Sequence, residues 1–396
     1  MMWAWSSSAL RWLRIAVFLL VDAAVSLRPA KRGNAALVIR LDAIGDFVIW
    51  LQSGAADIAI ELRRTHPRVI LLANAAWAPL AEELQVWDDV IAVDSARFVR
   101  SLRYRIQTLA KVRRLGFCTA VQPRAARLFL LEDALVRACG ASVRVGSDAL
   151  SANMPAALKS FGDRSYSKII PVPLALTVHE SARGKAFARG FCQSTGAVVP
   201  ASQLAALQEP STIPPEAFIV VAVGAGWSGR QWPIEKFAAL LSELHTTHGL
   251  LFVLVGSAAE RALVSQLKPL TTARLADFCG SLSLAQSVRL IGRAELLVAN
   301  ESGPMHIGVW CGTPVIGLVG GGHFGWFAPY PADFVHSAPL RVACQPMPCF
   351  HCNWHCKFDV PAGQAVPCVR DIDTGNVIVQ AHHLLNGGTT AEPVHP

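Results

Sequence analysis

Charge is scarce in this chain of 396 residues. Asp, Glu, Lys and Arg together make up 16% of it, while hydrophobic types make up 52%. That balance excludes a disordered chain, which lacks the apolar surface to offset the entropy of folding. The length suits two domains rather than one core. A long apolar run is also missing. Ile15 to Val21 has seven residues, follows Arg11 and Arg14, and stops at Asp22, short of the about 20 a spanning helix needs. No small-residue cleavage site follows it cleanly, which counts against a signal peptide. There is no G-x-x-x-x-G-K-[ST], and no G-x-G-x-x-G after the first strand. P-loop ATP hydrolysis and a nicotinamide cofactor are therefore not supported. Lys and Arg exceed Asp and Glu by 36 to 28, a net +8, which favours anionic partners such as phosphorylated substrates or an acidic membrane surface. No Lys/Arg run is interleaved with aromatics, so nucleic acid is not an expected partner.

Residues 1–33 combine Trp3, Trp5, Trp12, Phe18 and Leu19 with Arg11, Arg14, Arg28, Lys31 and Arg32. Such a helix suits a membrane interface; a helix packed on the protein's own surface fits equally. Ala35 to Ile39 then reads as a buried strand. A turn through Gly45-Asp46 follows, and a helical pattern of Val48, Leu51, Ala55, Ile58, Ala59 and Leu62. Strand, turn, helix and the next strand (Val69 to Ala73) open a doubly wound α/β domain, whose ligands bind at strand C-termini. Asp46 is thus either a crevice carboxylate fit for general-base work or a first-turn residue that only stabilises its helix. Val90 to Val93, Phe117 to Val121 and Val143 to Gly146 read as further strands. Arg97 to Arg114 reads as a helix with seven cations and no acid, either a solvated face or a face for an anionic acceptor or lipid headgroups.

The second half repeats the pattern. Phe218 to Val223 is an apolar strand leading into the loop Gly224–Trp232, which carries Arg230. The helix after Pro233 stops at Gly249, and Leu250 to Val255 leads to Gly256-Ser257 with Glu260 beyond. Ser283 and Gln286 form a capping box. Leu296 to Ala299 is a strand, Asn300-Glu301-Ser302-Gly303 a turn, and Pro304 marks the first helical position before a stop at Gly312; Val315 to Val319 is the next strand. The three crevice loops offer a glycine-rich turn, one cation, two carboxylates and a helix N-terminus. A nucleotide diphosphate uses all of these: Arg and N–H groups on phosphate, a carboxylate on ribose hydroxyls. An ordinary β-α-β corner shares the turn pattern.

Cysteine use is uneven. Cys118, Cys139, Cys192, Cys279 and Cys311 are isolated in apolar contexts and read as small buried hydrophobes. Cys344, Cys349, Cys352, Cys356 and Cys368 crowd together with His351 and His355 among them. Cys349-x-x-Cys352 is a knuckle that Cys356 and Cys368 close into a four-thiolate structural site, with zinc the default ion and iron an alternative. Two disulfides, free thiols, or an iron–sulfur cluster using the spacing from Cys344 are the competing readings. Ile372 to Leu385 reads as a last helix.

Three anchors, in order, carry a resemblance: ALVIRLDAIGDFVIW near the start, RQWPIEKFAALL followed by LFVLVGSAAE, and GSLSLAQSVRLIGRAELLVANESGPMHIGVWCGTPVIGLVG. Over roughly residues 34–320 the chain resembles glycosyltransferase family 9, the bacterial heptosyltransferases that use ADP-heptose to build the lipopolysaccharide core. The resemblance implies an α/β GT-B architecture of two Rossmann-like domains facing across a cleft. It divides the chain into a membrane-associating segment (1–33), an acceptor domain (34–170), a linker (171–215), a nucleotide-sugar domain (216–343), a Cys-rich finger (344–370) and a closing helix and tail (371–396). A helix like this last one often returns to the N-terminal domain in GT-B folds.

It also implies an inverting transfer that needs no cofactor, from a nucleotide-sugar donor to a glycolipid or glycan acceptor, in the bacterial cytoplasm at the inner-membrane surface. Asp46, beside Gly45, matches the family's base. Arg230 falls where the family usually has Lys and neutralises the departing diphosphate; Arg keeps the charge. Glu260 matches a ribose-binding carboxylate. Glu301-Ser302-Gly303 falls on the family's Asp-Ser/Thr-Gly, with a longer acid in first place, and His306 matches a His of the same motif. Rival readings are transfer to a protein or another glycan, and a non-catalytic nucleotide-sugar-binding protein at the membrane.

Overall fold

The computed structural model describes residues 8–31, 33–150, 154–193, 195–332, 334 and 339–388, with the side chains of 8–11 excluded. Trp3, Trp5, Arg32, the Arg11 side chain and the tail from 389 lie outside the described residues. The chain divides into two compact units: Met1–Leu174 with Ser181–Val199, and Ala175–Glu180 with Pro200–Pro396.

The first unit holds a six-stranded sheet of β1 (Ala35–Arg40), β2 (Val69–Asn74), β3 (Asp89–Val93), β4 (Phe117–Gln122), β5 (Val143–Ser147) and β6 (Lys168–Ile170). Its order is β3-β2-β1-β4-β5-β6, every pair parallel. The second unit holds β7 (Phe218–Ala222), β8 (Leu251–Leu254), β9 (Leu275–Asp277), β10 (Leu296–Asn300), β11 (Val315–Leu318) and β12 (Leu340–Ala343). Its order is β12-β11-β10-β7-β8-β9, again all parallel. Counted from its own first strand, the second sheet has the same order as the first. This is the dinucleotide-fold arrangement, and its strand order reverses beside β1 in one unit and beside β7 in the other. The architecture is α/β and GT-B-like in having two Rossmann-like units. Parallel strands are covered on both faces, which is why their central residues are continuously apolar and buried.

Several elements differ from the sequence expectation. The single helix expected after Gly45-Asp46 is two, Ile44–Leu51 and Ala55–Arg63, broken at Gly54 with φ 157°. The apolar pattern runs through the break because both pieces bury a face against the same sheet. The basic helix is also two pieces, Ser95–Phe98 and Leu102–Leu115, the latter capped by the Ser101 hydroxyl. The last helix, Thr374–Leu385, starts after an Asp373 cap and packs in the second unit, on the helix Ile234–His248 and on β10 to β12. No helix among the described residues is long and apolar enough to cross a membrane.

The helix Ser8–Ser26 packs on the helices Leu102–Leu115 and Glu132–Ala138. It buries Ile15, Phe18, Asp22 and Val25, spaced for one helical face. Arg105 binds both oxygens of Asp22 at 2.6 Å, and Arg113 donates to the Ser26, Arg28 and Ala138 carbonyls. Two of the seven cations read as a surface charge run are therefore structural.

Candidate active site

In the first unit the turn after β1 is held from outside. Asn74 Nδ2 donates to the carbonyls of Leu41 and Asp42 at 3.1 and 3.0 Å. Trp77 Nε1 donates to Asp42 O at 2.9 Å and Ser95 Oγ to Leu41 O at 3.1 Å. Phe47 stacks on Trp77 with centroids 3.9 Å apart, and Trp50 stacks on Trp87 at 5.6 Å. These contacts fix the helix Ile44–Leu51, and with it Gly45 and Asp46 in its first turn; Asp46 is half-buried. The helix cap is Ala43, not Asp46.

A buried charge network surrounds this turn, and sequence reading missed it. Arg40 Nε meets Asp42 Oδ2 at 2.6 Å, and its Nη2 donates to Asp46 O at 3.4 Å. Arg124, just past β4, pairs with Glu132 at 2.7 Å and approaches Asp42 at 3.6 Å. Burial works against the Arg124 charge, but Glu132, Asp42 and Asp46 together hold its guanidinium above the usual arginine range. Arg124 thus lies within reach of the Asp46 charge where the strand order reverses. The partners lie far apart in sequence with no local pattern between them.

In the second unit β7 leads, past Val223, into Gly224-Ala225-Gly226-Trp227-Ser228-Gly229. This has G-x-G-x-x-G spacing after the unit's own first strand, a match the sequence reading overlooked. It opens the 3₁₀ turn Ser228–Arg230 rather than a long helix. A Cβ on Gly224 would stand 1.7 Å from Glu260 Oε1, so any larger residue there would push the Glu260 carboxylate out of its place. Glu260 accepts from the Ser257 N–H in a capping box, which fixes it between the β7 and β8 loops.

Arg230 donates to the Glu301 carbonyl, lies 3.3 Å from its carboxylate, and stacks over Trp354 at 4.9 Å. Arg230 Nε is buried with no hydrogen-bond partner among the described residues. Glu301 is 2% exposed. Burial pushes its carboxyl above the usual range, against the pull of Arg230 and the Gly320 N–H. The helix Gly303–Cys311 begins one residue before the expected Pro304. Among the described residues the N–H groups of Ser302 and Gly303 are in no hydrogen bond, so the helix mouth presents both to an anion.

Asn300 holds these loops together: its Nδ2 donates to Val223 O at 2.7 Å and its Oδ1 accepts from Trp232 N at 3.0 Å. The turn pattern showed Asn300 only as a turn residue. His306 is buried, with Nδ1 2.7 Å from Tyr330 Oη. Burial, then His179 and Arg230, lower it to about 3, so it is neutral at physiological pH. His179 packs on the Tyr330 ring at 4.6 Å.

Cys349, Cys352, Cys356 and Cys368 line one cavity of about 10 Å³, room for about one water-sized sphere. Burial, opposed by the Gly321 N–H and reinforced by the other three thiols, raises Cys368 to about 11. All ten cysteines are free thiols, which removes the disulfide reading. Among the described residues no three His, Cys, Asp or Glu side chains gather closely enough to hold a metal ion. The four thiols converge on a cavity without forming the closed ligand set expected from sequence. Residues 350–366 also pack against the site. His351 and Asn353 donate to the Gly321 and Gly322 carbonyls at 2.7 and 3.0 Å, Val366 to Gly229 O at 3.0 Å, and Trp354 supplies the ring under Arg230.

Comparison with known proteins places the chain in one family. The profile described as glycosyltransferase family 9 (heptosyltransferase) matches residues 134–356. Lipooligosaccharide heptosyltransferase 2 of Campylobacter jejuni is 22% identical over 160 residues, 40% of this chain and 47% of that one. The match thus spans less than half of that relative. Among solved structures, E. coli heptosyltransferase WaaC with ADP superposes with a TM-score of 0.62 at 16% identity, over 88% of this chain and 99% of that one. The dodecameric iron-containing heptosyltransferase TibC in complex with ADP-D-β-D-heptose gives 0.52 at 12% identity, over 91% and 79%. At these identities the structural likeness is one of fold.

Proposed function

Because the chain belongs to glycosyltransferase family 9, the family of heptosyltransferases, we propose that it is an inverting transferase. It moves a heptose or related sugar from an ADP-sugar to a lipopolysaccharide-core-like acceptor. The observation that carries this is the second unit's site. Arg230, with a buried unpartnered Nε, stands beside Glu301 and the open N–H groups of Ser302 and Gly303, where the strand order reverses. Diphosphate leaves as an anion, so this positive cradle is worth most as its bond breaks. Glu260 and Glu301 supply acceptors for ribose and sugar hydroxyls.

Asp46 is the base in this mechanism. An acceptor oxygen forms its bond to the anomeric carbon from the face opposite the diphosphate. Its proton passes to Asp46, the bond to the diphosphate breaks, and ADP leaves with that electron pair. One displacement inverts the anomeric centre. The network of Arg40, Asp42, Arg124 and Glu132 holds the Asp46 turn in place for it.

The protein acts in the cytoplasm, peripherally on the inner membrane. Cys349, Cys352, Cys356 and Cys368 are the residues that would hold a structural zinc or iron ion, and they would have to draw closer than they stand here to do so. The four are soft donors lining one small cavity, with the Gly321 N–H donating to Cys368 Sγ at 3.4 Å, and thiolate is a donor type that either metal takes. Such an ion supplies a cross-link within the finger. Metal analysis of purified protein should find about one equivalent of zinc or iron; less than about half an equivalent overturns that part. The donor is tested by thermal shift: ADP-heptose should raise Tm where UDP- and GDP-sugars do not, and stabilisation by the latter alone overturns the donor assignment.

A further inference from the structure

The N-terminal helix Ser8–Ser26 carries two apolar stripes, and folding uses only one. Ile15, Phe18 and Val25 face inward, and Asp22 is clamped by Arg105. Leu13, Ala16, Leu20 and Ala23 recur at three- and four-residue steps on another face, and Leu27 continues that stripe just past the helix end. Leu13, Leu20 and Leu27 are 61%, 71% and 86% exposed. A helix lying on a water-facing surface would carry polar residues there. Five of the chain's leucines and alanines do so instead, at positions where they add nothing to the core.

The stripe borders an open groove of about 810 Å³. Leu19, Leu20, Ala23 and the half-exposed Phe161 form its apolar wall, and Arg137, Arg144 and Arg164 supply its positive groups. Asp22 also lines it, but that carboxylate is taken up by Arg105 at 2.6 Å and Arg137 at 3.5 Å. Beside the helix, Arg97, Arg100, Arg103, Lys111 and Arg114 are exposed. Burial and the nearby Arg100 and Arg105 lower Arg14 on the helix itself, a mark of like charges crowded together. Apolar residues for a hydrocarbon layer, an open groove of this volume beside them, and cations at its edge describe a bilayer surface with anionic headgroups.

Building on the peripheral placement above, we propose that this groove takes an acyl chain of an anionic phospholipid. Arg164 and Arg144 meet its phosphate, and the stripe of Leu13, Leu20 and Leu27 lies in the interface around it. The shape narrows a general membrane affinity to a defined seat in the first unit.

The test is co-sedimentation of the full-length protein with vesicles of phosphatidylglycerol and phosphatidylcholine, against phosphatidylcholine alone. Binding to the mixed vesicles should exceed binding to neutral ones and fall as salt rises. Arg164→Glu should weaken it at least about fivefold, on about 1 kcal/mol per surface cation. Leu13→Ser and Leu20→Ser should each weaken it about tenfold, and Phe161→Ser comparably. Thermal melting of the Arg164 and leucine variants should match wild type, since those side chains are mostly in water; Phe161→Ser also loses its edge contact with Phe129, so its binding is read at a temperature well below its own Tm. Equal binding to neutral vesicles overturns the headgroup assignment. Salt-sensitive binding that the leucine and Phe161 variants leave unchanged overturns the groove while leaving the peripheral placement standing. No binding to either vesicle overturns both. A leucine-dependent dimer without vesicle binding also overturns the proposal, because the stripe is then a self-contact.

Discussion

Replacing Arg230 by Met should damage this protein in two separable ways. Arg230 lies 3.3 Å from a carboxylate that is 2% exposed. At that distance and an effective dielectric of about 20, the attraction is about 5 kcal/mol, much of it offset by desolvation of the pair. Removing one partner leaves the other buried and alone, which costs about 3–5 kcal/mol. Arg230 is itself 21% exposed, so the lower end applies, about 3 kcal/mol. For a unit of this size that lowers Tm by roughly 6–12 °C. Glu301→Gln removes the buried charge, so the double variant R230M/E301Q should return to within about 1 kcal/mol of wild type. Transfer should not return. Losing the group that meets the diphosphate costs about 10²–10³ in kcat, and both R230M and the double variant should show it. Thermal unfolding and steady-state kinetics on the four proteins of the cycle give both answers. A double variant no more stable than R230M refutes the pairing, and a double variant that recovers transfer refutes the role at the diphosphate.

Further outcomes follow from neighbouring contacts. Asn300→Ala should cost about 2–5 kcal/mol, because it strands the buried Val223 carbonyl and Trp232 N–H; chemical denaturation measures it, and Asn300→Asp should be no better since Asp cannot donate to Val223. Trp354→Ala should lower kcat about 3–30-fold through loss of the ring under Arg230, with Trp354→Phe keeping most of the rate, so a rate unchanged in both variants would show that the finger does not position Arg230. His306 is depressed in the folded state to about 3, so between the unfolded value near 6.5 and that limit the unfolded chain binds more protons. Stability should therefore fall as pH drops through this window, with His306 contributing up to about 1.4 kcal/mol per pH unit. His306→Gln should flatten the slope by that amount in pH-dependent unfolding, and an unchanged slope would place the titration elsewhere.

The strands that position the site could be read from sequence because parallel strands at the sheet centre are unbroken apolar runs. β1, β7 and β10 at the reversal points are of this kind, and β4 departs from it only at Thr119 before its last residue. β6, β9 and β12 could not be read. Each is an edge strand of three or four residues with part of its length exposed, too short to show a period. Helix boundaries failed where one buried face continues through a break, as at Gly54, or where a single Ser101 cap restarts the helix. The loops that carry Asp46, Arg230, Glu260, Glu301 and Ser302-Gly303 were legible as strand-to-helix turns because local motifs mark them. Arg124, Asn300, Trp354 and Tyr330 were not, because each matters through a partner many residues away.

The most direct measurement of the central claim is single-turnover transfer from ADP-heptose to a lipopolysaccharide-core acceptor, with the product's anomeric configuration read by NMR. Wild type and Asp46→Asn are compared under the same conditions. The account predicts inverted product, a rate about 10²–10⁴ lower in the variant, and ADP affinity within about threefold of wild type. Retained configuration, or a variant within tenfold of the wild-type rate, would contradict it.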